Sequence, residues 1–122
     1  MSKKSEEFIE VMLQLLPTTV ERYKKSLEDN RGLLETVVIE DVFMPYIIDL
    51  MDEEKNIELI ESIFNYFESI SNCDDEHLIN IFSITVLEIL GNDKEILEKA
   101  KKYMGQKTSQ LQIEADKNLG RS

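Results

Sequence analysis

The sequence predicts an all-α protein, and three observations carry that prediction. Apolar residues recur three and four positions apart along almost the whole chain, which is the period of an amphipathic helix. Only four glycines and two prolines interrupt the 122 residues. No neighbouring segments alternate apolar and polar residues as pairing strands do. We therefore expect six to seven short antiparallel helices, either stacked as helical hairpins in the manner of HEAT repeats or closed into a compact bundle.

Length and composition predict a single domain at residues 1–118 and a loose tail at residues 119–122. A hydrophobic share of 42% beside 32% charged residues is typical of a soluble globular protein. The N-terminus lacks the apolar core of a signal peptide, and no apolar run approaches the roughly 18 residues that span a bilayer. The single cysteine excludes an intramolecular disulfide. We expect a cytoplasmic protein.

Pro17 separates the first two predicted helices, because proline is favoured in a first helical turn. The first helix carries a short apolar stripe, formed by Phe8, Met12, Leu15 and Leu16. Thr18 or Thr19 can cap the second helix, and Asn30 with Gly32 supplies its stop. The apolar line of the second helix consists of Val20, Tyr23 and Leu27.

The third segment, from Leu33 to Met51, is rich in β-branched residues, a composition that also suits a strand. We prefer a helix because its apolar residues follow three-and-four spacing. These residues are Leu34, Val37, Val38, Val42 and Tyr46. Pro45 is expected to kink this helix or to begin a new one after Met44.

Two strongly apolar helices follow. The fourth is expected from about Glu53 to Ser71, and its buried face consists of Ile57, Ile60, Phe64, Phe67 and Ile70. The fifth begins after a cap at Asp74 or Asp75 and ends at Gly91. Only a narrow polar stripe interrupts the apolar surface of the fifth helix, so we expect it to be the central buried helix. That stripe consists of Glu76, Asn80 and Ser83.

The last two helices are shorter and more polar. Asn92 with Glu95 three residues on resembles a capping box at the start of the sixth helix. This helix presents Ile96, Ala100 and Tyr103 inward and stops near Gly105. The seventh helix is expected from about Thr108 to Asn118, with a thin apolar stripe formed by Leu111 and Ala115.

The net charge of −11 lies entirely in the middle of the chain. Between Gly32 and Asp93 there are fifteen acidic residues and one basic residue, Lys55, whereas residues 1–31 are balanced and residues 94–122 carry seven basic and four acidic residues. Such a protein repels nucleic acid and anionic membranes, so partners chosen by charge should be basic proteins. The alternative is that the charge serves solubility only.

The acidic residues of the middle segment form a candidate docking ridge. On the fourth helix, spacings of three, four and seven place four of them on one solvent face, namely Glu54, Glu58, Glu61 and Glu68. The kinked third segment adds Glu40, Asp41, Asp49 and Asp52. Like charges at helical spacing cost about 0.2–0.5 kcal/mol per pair, and stability alone would favour lysines among them. We interpret the ridge as a surface that steers a cationic protein partner, against the alternative of a solvated face without a target.

Two aromatic residues at the kink, Phe43 and Tyr46, complete the predicted partner-binding surface if the kink is exposed. They lie beside Asp41 and Asp49, and aromatic residues next to charged ones are typical of interface hot spots. Core packing is the commoner role of aromatic residues in such a segment, and it is what we expect of both if the kink is not exposed.

No catalytic, cofactor or metal site is predicted. Side chains adjacent in the run from Asp74 to His77 diverge, and no second histidine or cysteine lies at ligand spacing, so helix capping explains this run more simply. Cys73 and His77 are the only candidates for a nucleophilic thiol and a neutral-pH acid or base, and a catalytic dyad would also need contact between them and a third group to orient them, which the sequence does not support. Phosphate-loop, CxxC and HExxH motifs do not occur. We predict a non-enzymatic protein.

The lysines of the sixth helix and the residues after it form a basic cluster. Its members are Lys94, Lys99, Lys101, Lys102 and Lys107. Lysines near the end of a helix interact favourably with its dipole. They also suggest a contact with the acidic middle of a neighbouring copy, which would give a head-to-tail homo-oligomer.

Three short segments look like parts of small all-α bacterial proteins. They are residues 39–45 (IEDVFMP), 102–105 (KYMG) and 118–121 (NLGR). Some proteins of that general type are immunity proteins of polymorphic or contact-dependent toxin systems. The resemblance implies a toxin–antitoxin role, in which the chain neutralises a basic, nuclease-like toxin domain, and the acidic middle agrees with that expectation.

Overall fold

A computed structural model describes residues 3–32 and 34–120 and contains no strand in these ranges. The α-helices are α1 (Lys3–Leu15), α2 (Val20–Asp29), α3 (Glu35–Val38), α4 (Met44–Glu53), α5 (Ile57–Ser71), α6 (Glu76–Phe82), α7 (Glu88–Leu90), α8 (Lys94–Lys101) and α9 (Gln106–Asn118). Two π-helical segments, Ile39–Phe43 and Ser83–Leu87, join α3 to α4 and α6 to α7. The predicted all-α class is confirmed, and the helices form a compact bundle.

The irregularity expected at Pro45 is the first π-helical segment. Pro45 has no amide hydrogen and lies in the first turn of α4. The Met44 N–H group bonds to the Ile39 carbonyl, five residues back, so the backbone widens immediately before the proline and the helix continues. α4 continues to Glu53, and α5 begins at Ile57. The boundary between the third and fourth predicted helices therefore lies a few residues later in the sequence than expected.

The central helix is the one formed by α6, the second π-helical segment and α7, as the sequence predicts. It packs against α1, α5, α8, α9 and the first π-helical segment. Its buried residues are Leu78, Ile81, Phe82, Thr85, Val86, Leu87 and Leu90. Ile84 is an apolar residue of this helix that is not buried, since 44% of its surface is exposed. It follows Asn80 by four residues and so lies on the solvent-facing polar stripe.

Helix ends agree with the sequence in some places and differ in others. The Asp75 side chain accepts a hydrogen bond from the Leu78 N–H at 3.0 Å, which confirms the predicted cap of α6. The capping box at Asn92 is wrong: the cap of α8 is Asp93, whose carboxylate accepts hydrogen bonds from the N–H groups of Glu95 at 2.9 Å and Ile96 at 3.2 Å. A carboxylate one position later reaches the same free amides and adds a favourable charge at the helix start.

The predicted cap of the second helix is also wrong. The Thr19 hydroxyl donates a hydrogen bond to the Leu16 carbonyl at 2.6 Å, and a 3₁₀ turn at Pro17–Thr19 leads directly into α2. The predicted stop is present: the Gly32 N–H bonds to the Leu27 carbonyl at 2.9 Å. Arg31 takes the left-handed conformation of this stop, with φ of 53°.

None of the helices in the described ranges combines the length and the apolar character that crossing a bilayer demands. At the other end of the chain, α9 ends at Asn118, and the Leu119 N–H still bonds to the Ala115 carbonyl at 3.3 Å. Residues 121 and 122 of the predicted tail lie outside the described residues.

Candidate binding surface

The eight carboxylates of the predicted ridge divide into six that are exposed and two that are engaged within the chain. The exposed six are Glu40, Asp41, Asp49, Asp52, Glu58 and Glu61. Within the described residues none of these six forms an ion pair within 4.0 Å. The other two, Glu54 and Glu68, contact residues of α8 and α9 or the turn between them.

Glu68 caps α9 from a different helix. Its carboxylate accepts hydrogen bonds from the Lys107 N–H at 3.0 Å, the Thr108 N–H at 2.9 Å and the Thr108 hydroxyl at 2.9 Å. The N-cap residue of α9 is Gly105, which has no side chain to offer these amides. Burial acts to raise the pKa of Glu68, but hydrogen bonds from Thr108, Lys107 and Asn72 outweigh it and lower that pKa. Glu68 is therefore a structural residue.

Gly105 makes room for this cap. A Cβ atom at position 105 would lie 2.5 Å from the Glu68 carboxyl carbon, closer than side-chain atoms can approach. The backbone angles of Gly105, φ −75° and ψ 178°, are open to any residue. A larger residue at this position would therefore displace the Glu68 carboxylate from the start of α9.

Glu54 binds the basic end of α8. Its carboxylate lies 3.1 Å from the Lys102 ammonium nitrogen and accepts a hydrogen bond from the Tyr103 hydroxyl at 3.1 Å. The Lys102 hydrogen bond is the main cause of the lowered pKa of Glu54. Glu54 also ends α4 in the left-handed conformation, with φ of 46°, so its side chain turns toward α8 instead of joining the solvent face of α5.

Lysines of the basic cluster thus reach the acidic segment within one chain. The Lys99 ammonium donates a hydrogen bond to the Asp52 carbonyl at 2.7 Å, next to the Glu54–Lys102 pair. From the sequence we expected these lysines to contact the acidic segment of a neighbouring copy. In the structure Lys99 and Lys102 contact that segment within the same chain, and they hold α8 against the end of α4.

The first candidate surface is a groove centred on Pro45, between α2 and the start of α4. Two adjoining hollows of about 340 and 310 Å³ share Arg22, Val42 and Pro45. Glu40 and Asp41 line the first, and Tyr46 and Asp49 line the second. We call these the kink groove. Because Arg22 stands among its carboxylates, the groove has mixed charge.

The two aromatic residues of the kink have different environments. Phe43 is only 1% exposed and belongs to the hydrophobic core, so the prediction that it contacts a partner is wrong. A π-helical turn places its side chain beneath the helix, among the core residues. Tyr46 is half-buried and lines the kink groove, where a partner can contact it.

The second candidate surface is the turn between α4 and α5. Asp52 is exposed on the last turn of α4, and Glu58 and Glu61 lie on the first two turns of α5. We call Asp52, Glu58 and Glu61 the acidic corner. None of the three forms an ion pair within 4.0 Å among the described residues, in contrast to the neighbouring Glu53, which pairs with Lys55 at 3.4 Å.

A third surface, which the sequence did not predict, lies between α8 and α9. A cavity of about 400 Å³ has three apolar residues in its lining, Leu97, Met104 and Ile113. Its rim carries Lys101, Asp116 and Lys117, and Ser109 and Gln112 complete the lining. We call it the α8–α9 groove. Ile113 is 56% exposed, but a single exposed isoleucine is ordinary on a protein surface, so the sequence carried no signal for this groove.

The chain matches, over residues 9–120, a family model described as "Domain of unknown function (DUF7674)". This chain belongs to the DUF7674 family. No curated protein and no solved structure matches it. The match extends from α1 to the end of α9, so all three surfaces lie inside the family's region.

In this DUF7674 member, Cys73 and His77 have separate partners. The Cys73 thiol lies 3.9 Å from the Asp75 carbonyl, a weak contact at the start of α6. The His77 Nε2 atom is 3.2 Å from the Glu35 carboxylate on α3, and the other oxygen of that carboxylate is buried with no hydrogen-bond partner among the described residues. Among the residues described, no three histidine, cysteine or acidic side chains are arranged to hold a metal ion.

Proposed function

We propose that this protein is a cytoplasmic, non-enzymatic binding protein that neutralises or holds a basic protein partner. Its most concrete form is an immunity protein against a bacterial toxin. The observation that carries the proposal is the set of six exposed carboxylates that form no ion pair with any residue the structure describes, in a segment that has fifteen acidic residues and one basic residue. Lysines elsewhere in the chain neutralise Glu54 but leave these six available to a partner.

The acidic corner and the kink groove have different parts in the proposed mechanism. The carboxylates of the acidic corner, which form no ion pair among the described residues, attract a cationic surface over about a Debye length and raise the association rate. The kink groove then supplies shape and apolar contact through Pro45 and Tyr46, since Phe43 is buried in the core. Glu54 and Glu68 take no part, because their carboxylates are already bound within the chain.

The resemblance to immunity proteins adds the class of partner. Basic, nuclease-like toxin domains bind a polyanion, and a protein with a cluster of exposed carboxylates competes for the same cationic surface. Neutralisation would then follow from occupation of that surface, without any chemical step by this chain.

The test uses the protein encoded immediately upstream of this chain as the probe. We expect it to contain a basic domain that arrests growth, and co-expression of this chain to restore growth. Stopped-flow mixing should show that Glu58→Lys/Glu61→Lys slows association about tenfold, with little change in dissociation, because steering acts before contact. The matched control is Glu6→Lys/Glu10→Lys, two exposed residues of α1 that give the same change in net charge. Equal rates for the two double variants, or no binding by the upstream protein, would refute the proposal.

The hydrogen bonds and the ion pair that charged side chains form between helices favour a second function. Glu54, Glu68, Lys99 and Lys102 act as ties between helices, which suits a helical scaffold or regulatory protein whose remaining charge serves solubility. In that case charge reversal at the acidic corner leaves binding unchanged, whereas Tyr46→Ala in the kink groove weakens it. The two double variants above therefore distinguish the two functions.

A further inference from the structure

Gln112 of α9 is a buried polar residue in the lining of the α8–α9 groove. Only 2% of its surface is exposed, although it lines a cavity of about 400 Å³. Its Nε2 group donates hydrogen bonds to the Leu87 carbonyl at 3.0 Å and to the Asp116 carboxylate at 3.1 Å. Its Oε1 atom is buried and has no hydrogen-bond partner among the described residues. One half of the amide is therefore satisfied, and the other half is not.

The two partners of Nε2 fix the orientation of this amide. The Leu87 carbonyl and the Asp116 carboxylate are both acceptors, so the NH₂ end of the side chain must face them. Turning the amide over would place Oε1 against two oxygen atoms and would break both hydrogen bonds. The Leu87 carbonyl belongs to the central helix, so the same amide also joins α9 to that helix. The packing of α9 therefore keeps Oε1 away from these two groups.

A buried acceptor without a donor is unfavourable, because it has given up its hydrogen bonds with water. Nearly all buried polar groups in native proteins have a partner, so an unpaired one in the lining of a cavity points to a donor that enters from outside. A buried water molecule makes about three hydrogen bonds, and Leu97, Met104 and Ile113 offer it no side-chain partner. A molecule with a single donor and an otherwise apolar surface suits this lining better.

The size of the groove is that of a small-molecule site. Its volume of about 400 Å³ lies within the range of roughly 300–1,000 Å³ that is typical of such sites, and these sites combine apolar walls with a few polar groups that fix the orientation of the ligand. The three apolar lining residues can supply the walls, and Gln112 can supply the orienting group.

The charges at the rim favour an uncharged ligand. Lys101 lies 3.6 Å from the Glu98 carboxylate, and Asp116 accepts the hydrogen bond from Gln112. Lys117 is exposed in the last turn of α9, where an ion pair with a ligand would contribute little. A charged molecule would therefore lose its hydration on entering the groove without a buried opposite charge to replace it.

We propose that the α8–α9 groove binds a small, uncharged, largely apolar molecule with one N–H or O–H group, and that this group donates a hydrogen bond to Oε1 of Gln112. Because Oε1 is closed to solvent in the free protein, a lining side chain shifts as the ligand enters. Met104 is suited to this movement, since its side chain is unbranched and flexible. The acidic corner and the kink groove share no residue with this groove, so the proposal stands independently of the function proposed above.

Indole and benzofuran are matched probes of the site. They have the same fused-ring shape, but indole has an N–H donor where benzofuran has an oxygen atom. In titrations followed by protein NMR, we expect indole to bind with a Kd of about 1 mM, which suits a ligand of so few atoms. Benzofuran should bind at least about tenfold more weakly, because it leaves Oε1 without a donor and places an oxygen atom beside it.

The same comparison can overturn the proposal. Benzofuran is the more apolar of the two probes, so a groove that offers only apolar contact would bind it more tightly than indole. Equal affinities, or tighter binding of benzofuran, would therefore show that Oε1 does not select the ligand. No binding of indole at up to about 10 mM would also overturn the proposal, since indole has each property that the groove is proposed to require.

Three variants locate the site. Gln112→Met keeps the size of the side chain but removes the acceptor, so the affinities for indole and benzofuran should come within about threefold of each other. Ile113→Ala should weaken indole binding about fivefold through lost apolar contact. Ile84→Ala makes the same change at an isoleucine of similar exposure outside the groove and should leave binding within about twofold of the wild type. A tenfold preference for indole in Gln112→Met, or equal affinities of the two alanine variants, would contradict the assignment.

Shift mapping on the wild-type protein provides a readout that does not depend on any variant. Indole should shift the side-chain amide protons of Gln112 and the backbone amides of α8 and α9, and it should leave the amides of α2 unchanged. Larger shifts at the kink groove than in α8 and α9 would show that the probe binds elsewhere and would refute the proposal. Circular dichroism of each variant checks that any loss of binding is not a loss of fold.

Discussion

Glu68 on α5 and Thr108 on α9, forty residues apart in sequence, are joined by two hydrogen bonds to one carboxylate oxygen, each 2.9 Å long. The other carboxylate oxygen accepts the Lys107 N–H at 3.0 Å. Free amides at the start of a helix need acceptors, and Gly105 has none to offer. One acidic side chain of α5 thus holds the last helix in place.

Replacement of Glu68 should therefore affect stability and not partner binding. We expect Glu68→Ala to lower the free energy of unfolding by about 1–2 kcal/mol, the usual cost of a lost helix cap. Urea denaturation followed by circular dichroism measures this change. Glu61→Ala is the control on the same helix and should change the free energy by no more than about 0.5 kcal/mol, because Glu61 is exposed and pairs with no lysine or arginine that the structure describes. Similar losses for the two variants would argue against the cap.

Gly105→Ala should destabilise the protein through Glu68. The added methyl group requires the carboxylate to leave its position, since the new Cβ would lie 2.5 Å from the Glu68 carboxyl carbon. We expect a loss of about 1–2 kcal/mol, the value of the displaced cap. In the Glu68→Ala background the same substitution should cost less by at least about 0.5 kcal/mol, because the clash is gone. Additive losses in this double-mutant cycle would show that Gly105 acts through something other than Glu68.

Acid should destabilise the wild type more than a variant that lacks its two internal carboxylates. The pKa values of Glu54 and Glu68 are lowered from their ordinary value of 4.5, so both groups favour the folded state when ionised. Their contribution is fully present above about pH 4.5 and is lost as the pH falls through the lowered pKa values of the folded state. Between pH 6 and pH 3 the free energy of unfolding should therefore fall more steeply for the wild type than for Glu54→Gln/Glu68→Gln. Parallel curves would contradict this assignment.

Much of the helical framework was predictable because it depends on local pattern. The spacing of apolar residues located every helix within a few positions, and the unbroken apolar surface around the fifth predicted helix identified it as the central one. Asp75 was found as a cap because its acceptor reaches an amide only three residues away. The errors at Thr19 and Asn92 are also local, since each has a neighbouring group that satisfies the same backbone atoms better.

The binding surface was less predictable because helical spacing gives the face of a residue but not what packs on that face. Glu54, Glu58, Glu61 and Glu68 have equivalent spacing along the predicted fourth helix, yet only Glu58 and Glu61 are exposed. For Phe43 the sequence left both core packing and partner contact open. The structure buries its side chain in the core.

The sequence by itself determined that the chain is all-α, that its negative charge is confined to the middle, and that no known catalytic motif is present. The tertiary structure decided which carboxylates remain for a partner and which bind α8 and α9, because those contacts join residues about forty to fifty positions apart. It also decided that Ile113 lies in a groove and not in the core. Such relationships depend on how the helices pack, and the pattern of residues along a sequence does not give the distances between helices.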